Sequence, residues 1–411
     1  GVEINLFSIM GTFLIIGIGV DYAIFYRHGH DHPQVVGMAL FLCMMSTFFS
    51  FGLLSFSHTY AIHSFGLTVL LGVIFSFIYA TLFTSSDAKH VVVQQYQPKS
   101  WVKGYSAMST MQQTDVLIIG AGPSGSSAAA LLRQKGYQVT VIEKQFFPRF
   151  SIGESLLPQC MVFLEEAGLL ETVRAHADEY AFQFKNGAAF LRGTQRSFYD
   201  FTQKFSEGPG TTWQVRRANF DQLLAQQAEK MGADIRFGHE VLAVDVASTQ
   251  PILTVKGEQG DSYQIQGKFL LDASGFGRIL PKFLDLESPS DFPVRRAVFT
   301  HIEDGLLNDP EFDREKILIT VHEKDHRAWY WLIPFADGRS SFGIVAEQDF
   351  FEKYGYDGSA DYDLEALQKR ILADDASLSH VLRHAKHDTP VRTLVGYSAD
   401  VKHLASENYA L

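Results

Sequence analysis

Asp115-Val-Leu-Ile-Ile-Gly120-Ala-Gly122-Pro123-Ser124-Gly125 decides how the chain is read. A short apolar run meets a glycine-rich turn. An alanine-rich stretch, Ser126 to Lys135, follows and is closed by Gly136. A second apolar run, Gln138 to Ile142, then ends on Glu143. The order is strand, turn, helix, strand, acid, as in a dinucleotide-binding βαβ unit. The glycines have separate roles. Gly120 makes the tight turn, Gly122 admits a pyrophosphate, and Gly125 lets helix and strand pack closely. The helix start, with Pro123 and Ser124, aims free N–H groups and the positive dipole end at the phosphates. Glu143 lies 18 residues beyond Gly125, close to the spacing of the acid that holds ribose hydroxyls.

Outward from this unit the chain is two unlike pieces. Residues 1–86 carry four Asp, Glu, Lys or Arg side chains: Glu3, Asp21, Arg27 and Asp31. They hold three apolar runs, Leu6 to Tyr26, Val35 to Phe56 and Phe65 to Phe83, each near the length that crosses a bilayer. Arg27 in the first turn, and Lys89, Lys99 and Lys103 after the third run, predict a cytoplasmic side for both by the positive-inside rule. Asp21 interrupts the first run, and an ionisable group at that depth is expected to be functional. His28, His30 and His32 alternate in a polar turn and read as solvated. Residues 87–111 form a polar linker, with Met108 and Met111 just ahead of the glycine turn. The net charge of −11 argues against a nucleic-acid partner. The two cysteines, Cys43 and Cys160, lie far apart, which fits a reducing compartment.

From residue 112 to 411 the pattern is α/β. Helical periodicity is expected over 161–175, from Val215 to Gly232, and over 363–373 and 377–385. Strands are expected over 182–198, 235–237, 241–246 and 269–272, with a hairpin over 252–266. Alternation over 295–303 and 316–346 predicts the sheet of a substrate domain.

Three separated segments point to FAD: the fingerprint with Glu143 and its neighbour Lys144; Val215-x-Arg217-x-x-Phe220-Asp221; and Asp272-Ala273-Ser274-Gly275. Together they resemble the glutathione-reductase-like flavoproteins. Phe147-Pro-Arg149-x-x-Ile152-Gly153-Glu154-Ser155-Leu-Leu-Pro158, and Trp329-Tyr-Trp331-Leu-Ile333-Pro334 with its W-x-W-x-I-P pattern, resemble the flavin-dependent halogenases more narrowly. Phe184-Lys185-Asn186-Gly187 is similar to the strand bearing their active-site lysine. The resemblance implies an FAD-binding fold with an interleaved β-sheet substrate domain. It also implies a separate flavin reductase, and oxidation of halide to hypohalous acid that Lys185 presents to an electron-rich aromatic or carrier-bound ring. Trp329 and Trp331 would wall the flavin from the substrate. Arg149, Ser155 and Arg217 would join the cofactor site.

Gly17-Ile-Gly-Val-Asp21-Tyr22, with Phe65-Gly-Leu-Thr, resembles the last helices of an RND or MMPL-type exporter, in which Asp21 and Tyr22 would belong to a proton relay. The expectation is therefore a fusion: three transmembrane helices (1–86) in a bacterial inner membrane, the linker, and a cytoplasmic FAD oxidoreductase (112–411) cut short at its C-terminus. The alternatives are a non-halogenating flavin monooxygenase, a geranylgeranyl-reductase-like enzyme, or a piece of a proton-driven exporter.

Overall fold

A computed structural model describes residues 59, 63, 66–69, 71–76 and 111–411. The chain divides into two compact units, residues 1–106 and 107–411. In the first, residues 66–69 and 71–76 are helical. Among the described residues no helix is long and apolar enough to cross a membrane. The first two apolar runs, Asp21, Tyr22, the three turn histidines and Cys43 lie outside the described residues.

The second unit begins with the fingerprint. β1 (Val116–Ile119) is four buried apolar residues. Its side chains alternate between two cores. Val116 and Ile118 face the helices, whereas Leu117 and Ile119 face a four-stranded sheet on the other side. A strand covered on both faces must be apolar throughout, and each such side chain stabilises by about 1.5–3 kcal/mol. α1 (Pro123–Gln134) starts with Pro at its first turn, where no N–H is missed, and ends before Gly136 at φ +87°. β2 (Val139–Glu143) is wholly buried.

The predicted helix over 161–175 is two short ones, Gln159–Glu166 and Leu170–His176, parted by Gly168 at φ +68°. The predicted strand region over 182–198 is three strands. β3 (Gln183–Lys185) leads into the hairpin of β4 (Gly187–Arg192) and β5 (Gln195–Asp200). β6 (Thr212–Gln214) pairs with β3 as a small antiparallel ribbon. α2 (Arg217–Lys230) stops short of Gly232 at φ +96° and packs beside α1. With β7 (Asp234–Phe237) and β8 (Phe269–Asp272), the parallel sheet runs β8-β1-β2-β7. The hairpin expected over 252–266 forms the strands Ile252–Lys256 and Ser262–Gln266.

β9 (Arg295–Glu303), β10 (Lys316–Val321), β11 (Trp329–Pro334) and β12 (Arg339–Glu347) build the second sheet with β4 and β5. Alternation along β11 sends Tyr330 and Leu332 into a core lined by Phe342, Phe350 and Phe351. It sends Trp329 and Trp331 to the opposite face, against Phe299, Phe150 and Ile152. The helix expected over 363–373 runs Leu364–Ala373, and Asp363 caps it, its carboxylate accepting the Ala366 N–H. The helix expected over 377–385 is shorter, Ala376–Val381. β13 (Tyr409–Ala410) pairs parallel with β8, so the last described residues edge the nucleotide sheet.

Candidate functional site

The glycine turn sits where β1 meets α1. Gly120 has φ +96°, and a Cβ there would stand 2.7 Å from the Ala273 carbonyl oxygen. A Cβ on Gly125 would reach 1.9 Å from the Gly120 carbonyl oxygen, so this contact admits only glycine. A Cβ on Gly122 would meet nothing nearer than Arg149 Nη2 at 3.6 Å, because it would project into the cleft. The turn is held from the other side by Glu143. One carboxylate oxygen accepts the Ala121 N–H at 2.8 Å, and the other accepts the Gln145 N–H at 2.9 Å.

Two adjoining cavities of about 540 and about 440 Å³ open in front of this turn. They share Gly122, Arg149, Ser151, Ala273, Ser274 and Phe276. The first adds Pro123, Ser124, Arg217, Asp272 and Gly275; the second adds Gly120, Glu143 and Lys144. The three segments singled out in the sequence thus converge on one cleft. Two of the expected cofactor residues stand outside its lining. Gly125 acts as the packing glycine beneath it. Ser155 lies with Lys185 instead. Lys144 sits at the rim, where its ammonium pairs with Glu240 at 2.7 Å while the side chain stays 69% exposed.

Asp221 organises the cationic side of the cleft. It is fully buried and takes both prongs of Arg217: Nε donates at 2.6 Å to one carboxylate oxygen and Nη2 at 3.0 Å to the other. Arg149 Nη1 lies 3.1 Å from the same carboxylate. Arg217 Nη1 also donates to the Ile152 carbonyl oxygen. A forked guanidinium on a buried carboxylate is held in one orientation, with its remaining donors aimed outward. Sequence reasoning quoted Asp221 without a role, although its spacing of four from Arg217 on a helix was the available signal.

Lys185 ends β3 and is 2% exposed. Its ammonium donates to Ser155 Oγ at 2.8 Å and to the Leu156 carbonyl oxygen at 2.7 Å, and it lies 5.2 Å from the Phe201 ring centre. Burial pushes its pKa down to about 8, against a partial upward pull from Cys160.

Trp329 and Trp331 lie 6.1 Å apart by ring centres. Trp331 Nε1 donates to Ser341 Oγ at 3.0 Å, and its ring lies over Gly343, where a Cβ would come within 2.2 Å. The Phe147–Pro158 segment runs between the cleft and these two places. Phe150 stacks on Phe299 at 5.8 Å, and Phe299 meets Trp331 at 6.0 Å. Glu154, 2% exposed, takes His301 Nε2 at 2.8 Å. Sequence reasoning missed His301: it reaches Glu154 across 147 residues, and nothing local marks it. Another cavity of about 420 Å³, lined by Phe198, Phe312 and Leu318, opens near the β4–β5 edge of the second sheet. Its lining includes neither Lys185, nor the Trp pair, nor the glycine turn.

The fold and cleft define a nucleotide-binding flavoprotein. A model of the FAD binding domain matches residues 113–397, and the chain belongs to that family. The curated relatives it resembles are flavin-dependent halogenases. The tryptophan 2-halogenase of Chondromyces crocatus is 30% identical over 308 residues, covering 74% of this chain and 56% of that protein. The flavin-dependent halogenase armH3 of Armillaria mellea is 34% identical over 245 residues, covering 57% and 47%. The chain spans about half the length of these curated relatives. Among solved structures, a flavoprotein/dehydrogenase from Cytophaga hutchinsonii is 36% identical with TM-score 0.66, over 73% of this chain and 70% of that one. CmlS, a flavin-dependent halogenase, is 29% identical with TM-score 0.63, over 73% and 52%.

The cofactor is FAD. The residues present fit it. The glycine cradle is shaped for an approaching backbone or phosphate, α1 has no side-chain cap over its first N–H groups, and Arg149 Nε is buried with no protein acceptor. The exporter side of the reading is not supported. The family model begins at residue 113, the curated relatives named above are halogenases, and the exporter resemblance of residues 3–84 finds no support in them. The expected inner-membrane location is overturned by those halogenase relatives, and the expected bilayer partner finds no support in them.

Proposed function

We propose that the protein is a flavin-dependent halogenase acting on an electron-rich aromatic ring, free or carried on a partner protein, with reduced flavin supplied by a separate reductase. The observation that carries this reading is Lys185. It is a buried amine with a lowered pKa, held outside the nucleotide cleft by the segment that also borders the cleft. Reduced FAD, when bound, supplies the two-electron activation of oxygen that converts halide to hypohalous acid. The chain's own residues do the rest. Asp221 fixes Arg217 and Arg149 for the cofactor's anionic half, and the α1 N-terminus receives pyrophosphate. Glu143 shapes the glycine turn through the Ala121 N–H and offers its remaining lone pairs to ribose hydroxyls. Trp329 and Trp331, with Phe299 and Phe150, form an apolar barrier that excludes a bulky substrate from the flavin and keeps water out. Lys185 then presents hypohalous acid to the ring through an N–H donor.

The test supplies the native protein with FAD, a flavin reductase, chloride or bromide, and a panel of phenols, pyrroles and indoles. A product whose mass shift follows the halide supports the reading. A hydroxylated or reduced product that ignores halide supports a monooxygenase or reductase and overturns it.

A further inference from the structure

The ribbon of β3 and β6 places more than Lys185 on one face. Lys185 stands directly opposite Thr212 in register, and Gln183 opposite Gln214. Residues in register, and those two apart along a strand, share a face. Ser155 joins the same surface through its bridge to Gln214. Ser155, Lys185, Thr212 and Gln214 therefore gather on one side of a small three-strand patch.

Two of these groups are buried and unmatched. Thr212 is 2% exposed and its Oγ1 has no protein partner. Gln214 is fully buried; its amide N–H donates to the Arg314 carbonyl oxygen at 3.2 Å, while its Oε1 has none. Lys185 brings three donors and spends two, on Ser155 Oγ and the Leu156 carbonyl oxygen. The patch thus leaves a free ammonium N–H, a hydroxyl that can donate or accept, and a buried amide oxygen. Buried polar groups without partners are costly, and folded proteins satisfy them with a bound molecule.

We infer that Thr212 and Gln214 complete a small polar site around Lys185 that holds one neutral molecule able to donate and accept hydrogen bonds: water at rest, hypohalous acid in turnover. The turnover half rests on the halogenase reading. The Lys185 N–H and the Thr212 hydroxyl donate to the oxygen of the guest. The Gln214 amide oxygen accepts its O–H. The guest is held and no covalent bond forms, so the site is a way-station that keeps the oxidant from diffusing away. Sequence gives no hint of this role, since Thr212 and Gln214 flank Trp213 in an ordinary alternating strand.

The experiment compares wild type, Thr212→Val and Thr212→Ser in the native protein, with two readouts. The first is free oxidised halide caught by a β-diketone scavenger, per flavin reoxidised. The second is the titration of Lys185 followed by its side-chain nitrogen resonance, which needs no turnover. Thr212→Val is expected to raise scavenged oxidant about tenfold and to lower the Lys185 pKa, because a bound acceptor that favours the ammonium is lost. Thr212→Ser is expected to restore both. Unchanged titration in Thr212→Val overturns the site. Normal leakage in Thr212→Val, from a wild type that halogenates, overturns the way-station role. If wild type yields no oxidised halide at all, the halogenase reading fails, while the titration still decides whether the guest site exists.

Discussion

In the cofactor cleft Arg217 meets Asp221 four residues away, and Glu143 reaches Ala121 across 22. Around Lys185 the partners lie 30 residues away at Ser155, and the neighbouring Glu154 is held by His301 across 147. The first region is built from compact sequence blocks whose backbone does much of the binding. The second is built from single side chains that meet only because two sheets and a crossing segment are packed together. A backbone site depends on glycines and fails when a Cβ is added. A side-chain site tolerates the fold's small shifts and fails when one functional group is removed.

The sharpest break of that contrast is Gly125→Val. A side chain there collides with the Gly120 carbonyl oxygen, and no rotamer avoids a Cβ clash at 1.9 Å. We expect loss of bound flavin and of folded protein, read by flavin absorbance and circular dichroism. Normal flavin content would show that the β1–α1 contact is not the cradle's foundation.

Next in size is Asp221→Asn. It removes the buried carboxylate shared by two guanidinium groups, and breaking such a pair costs about 3–5 kcal/mol. FAD affinity should fall by at least about 100-fold in a fluorescence titration, since about 1.4 kcal/mol is tenfold. An affinity within about threefold of wild type would mean that the arginines are held by something else.

Lys185 gives a smaller, pH-dependent effect. Its folded pKa of about 8 lies below the ordinary 10.5, so the unfolded chain binds more protons between those values. Stability attributable to Lys185 therefore rises as pH increases from about 8 to 10.5, and the penalty is in full force below 8. The size is about 3 kcal/mol at neutral pH. Lys185→Met should be more stable than wild type at pH 7 in urea melts, with the gain shrinking towards pH 10. A gain independent of pH would contradict burial of the charge as its cause.

The smallest effect is Lys144→Ala. An exposed ion pair contributes about 0–1 kcal/mol, so FAD affinity and stability should change little. A tenfold loss of FAD affinity would move Lys144 from the rim into the binding site.

The same contrast explains what could be read in advance. The glycine turn, Glu143, Arg217 and Asp272 were legible because their roles follow from backbone geometry at fixed spacing, and the cleft does collect them. The W-x-W alternation predicted the shared face of Trp329 and Trp331. Ser155 was placed with the cofactor by the resemblance of its segment, yet it bridges Gln214 and its hydroxyl accepts from Lys185. His301, Thr212 and Gln214 were invisible, since an alternating strand position carries no mark of what faces it. The apolar runs near the N-terminus stand apart: apolar length and a lone Asp21 suggest a membrane, the relatives lend the exporter reading no support, and most of these residues lie outside the described ones.

Two separable regions imply that cofactor binding and Lys185 chemistry can be lost independently. One comparison tests this most directly: FAD affinity and halogenated product, measured side by side in wild type and Lys185→Ala. We predict FAD binding within about twofold of wild type and loss of halogenated product, the signature of a group that acts only on the reacting species. Halogenation at near wild-type rate in Lys185→Ala, or loss of FAD binding together with product, would contradict it.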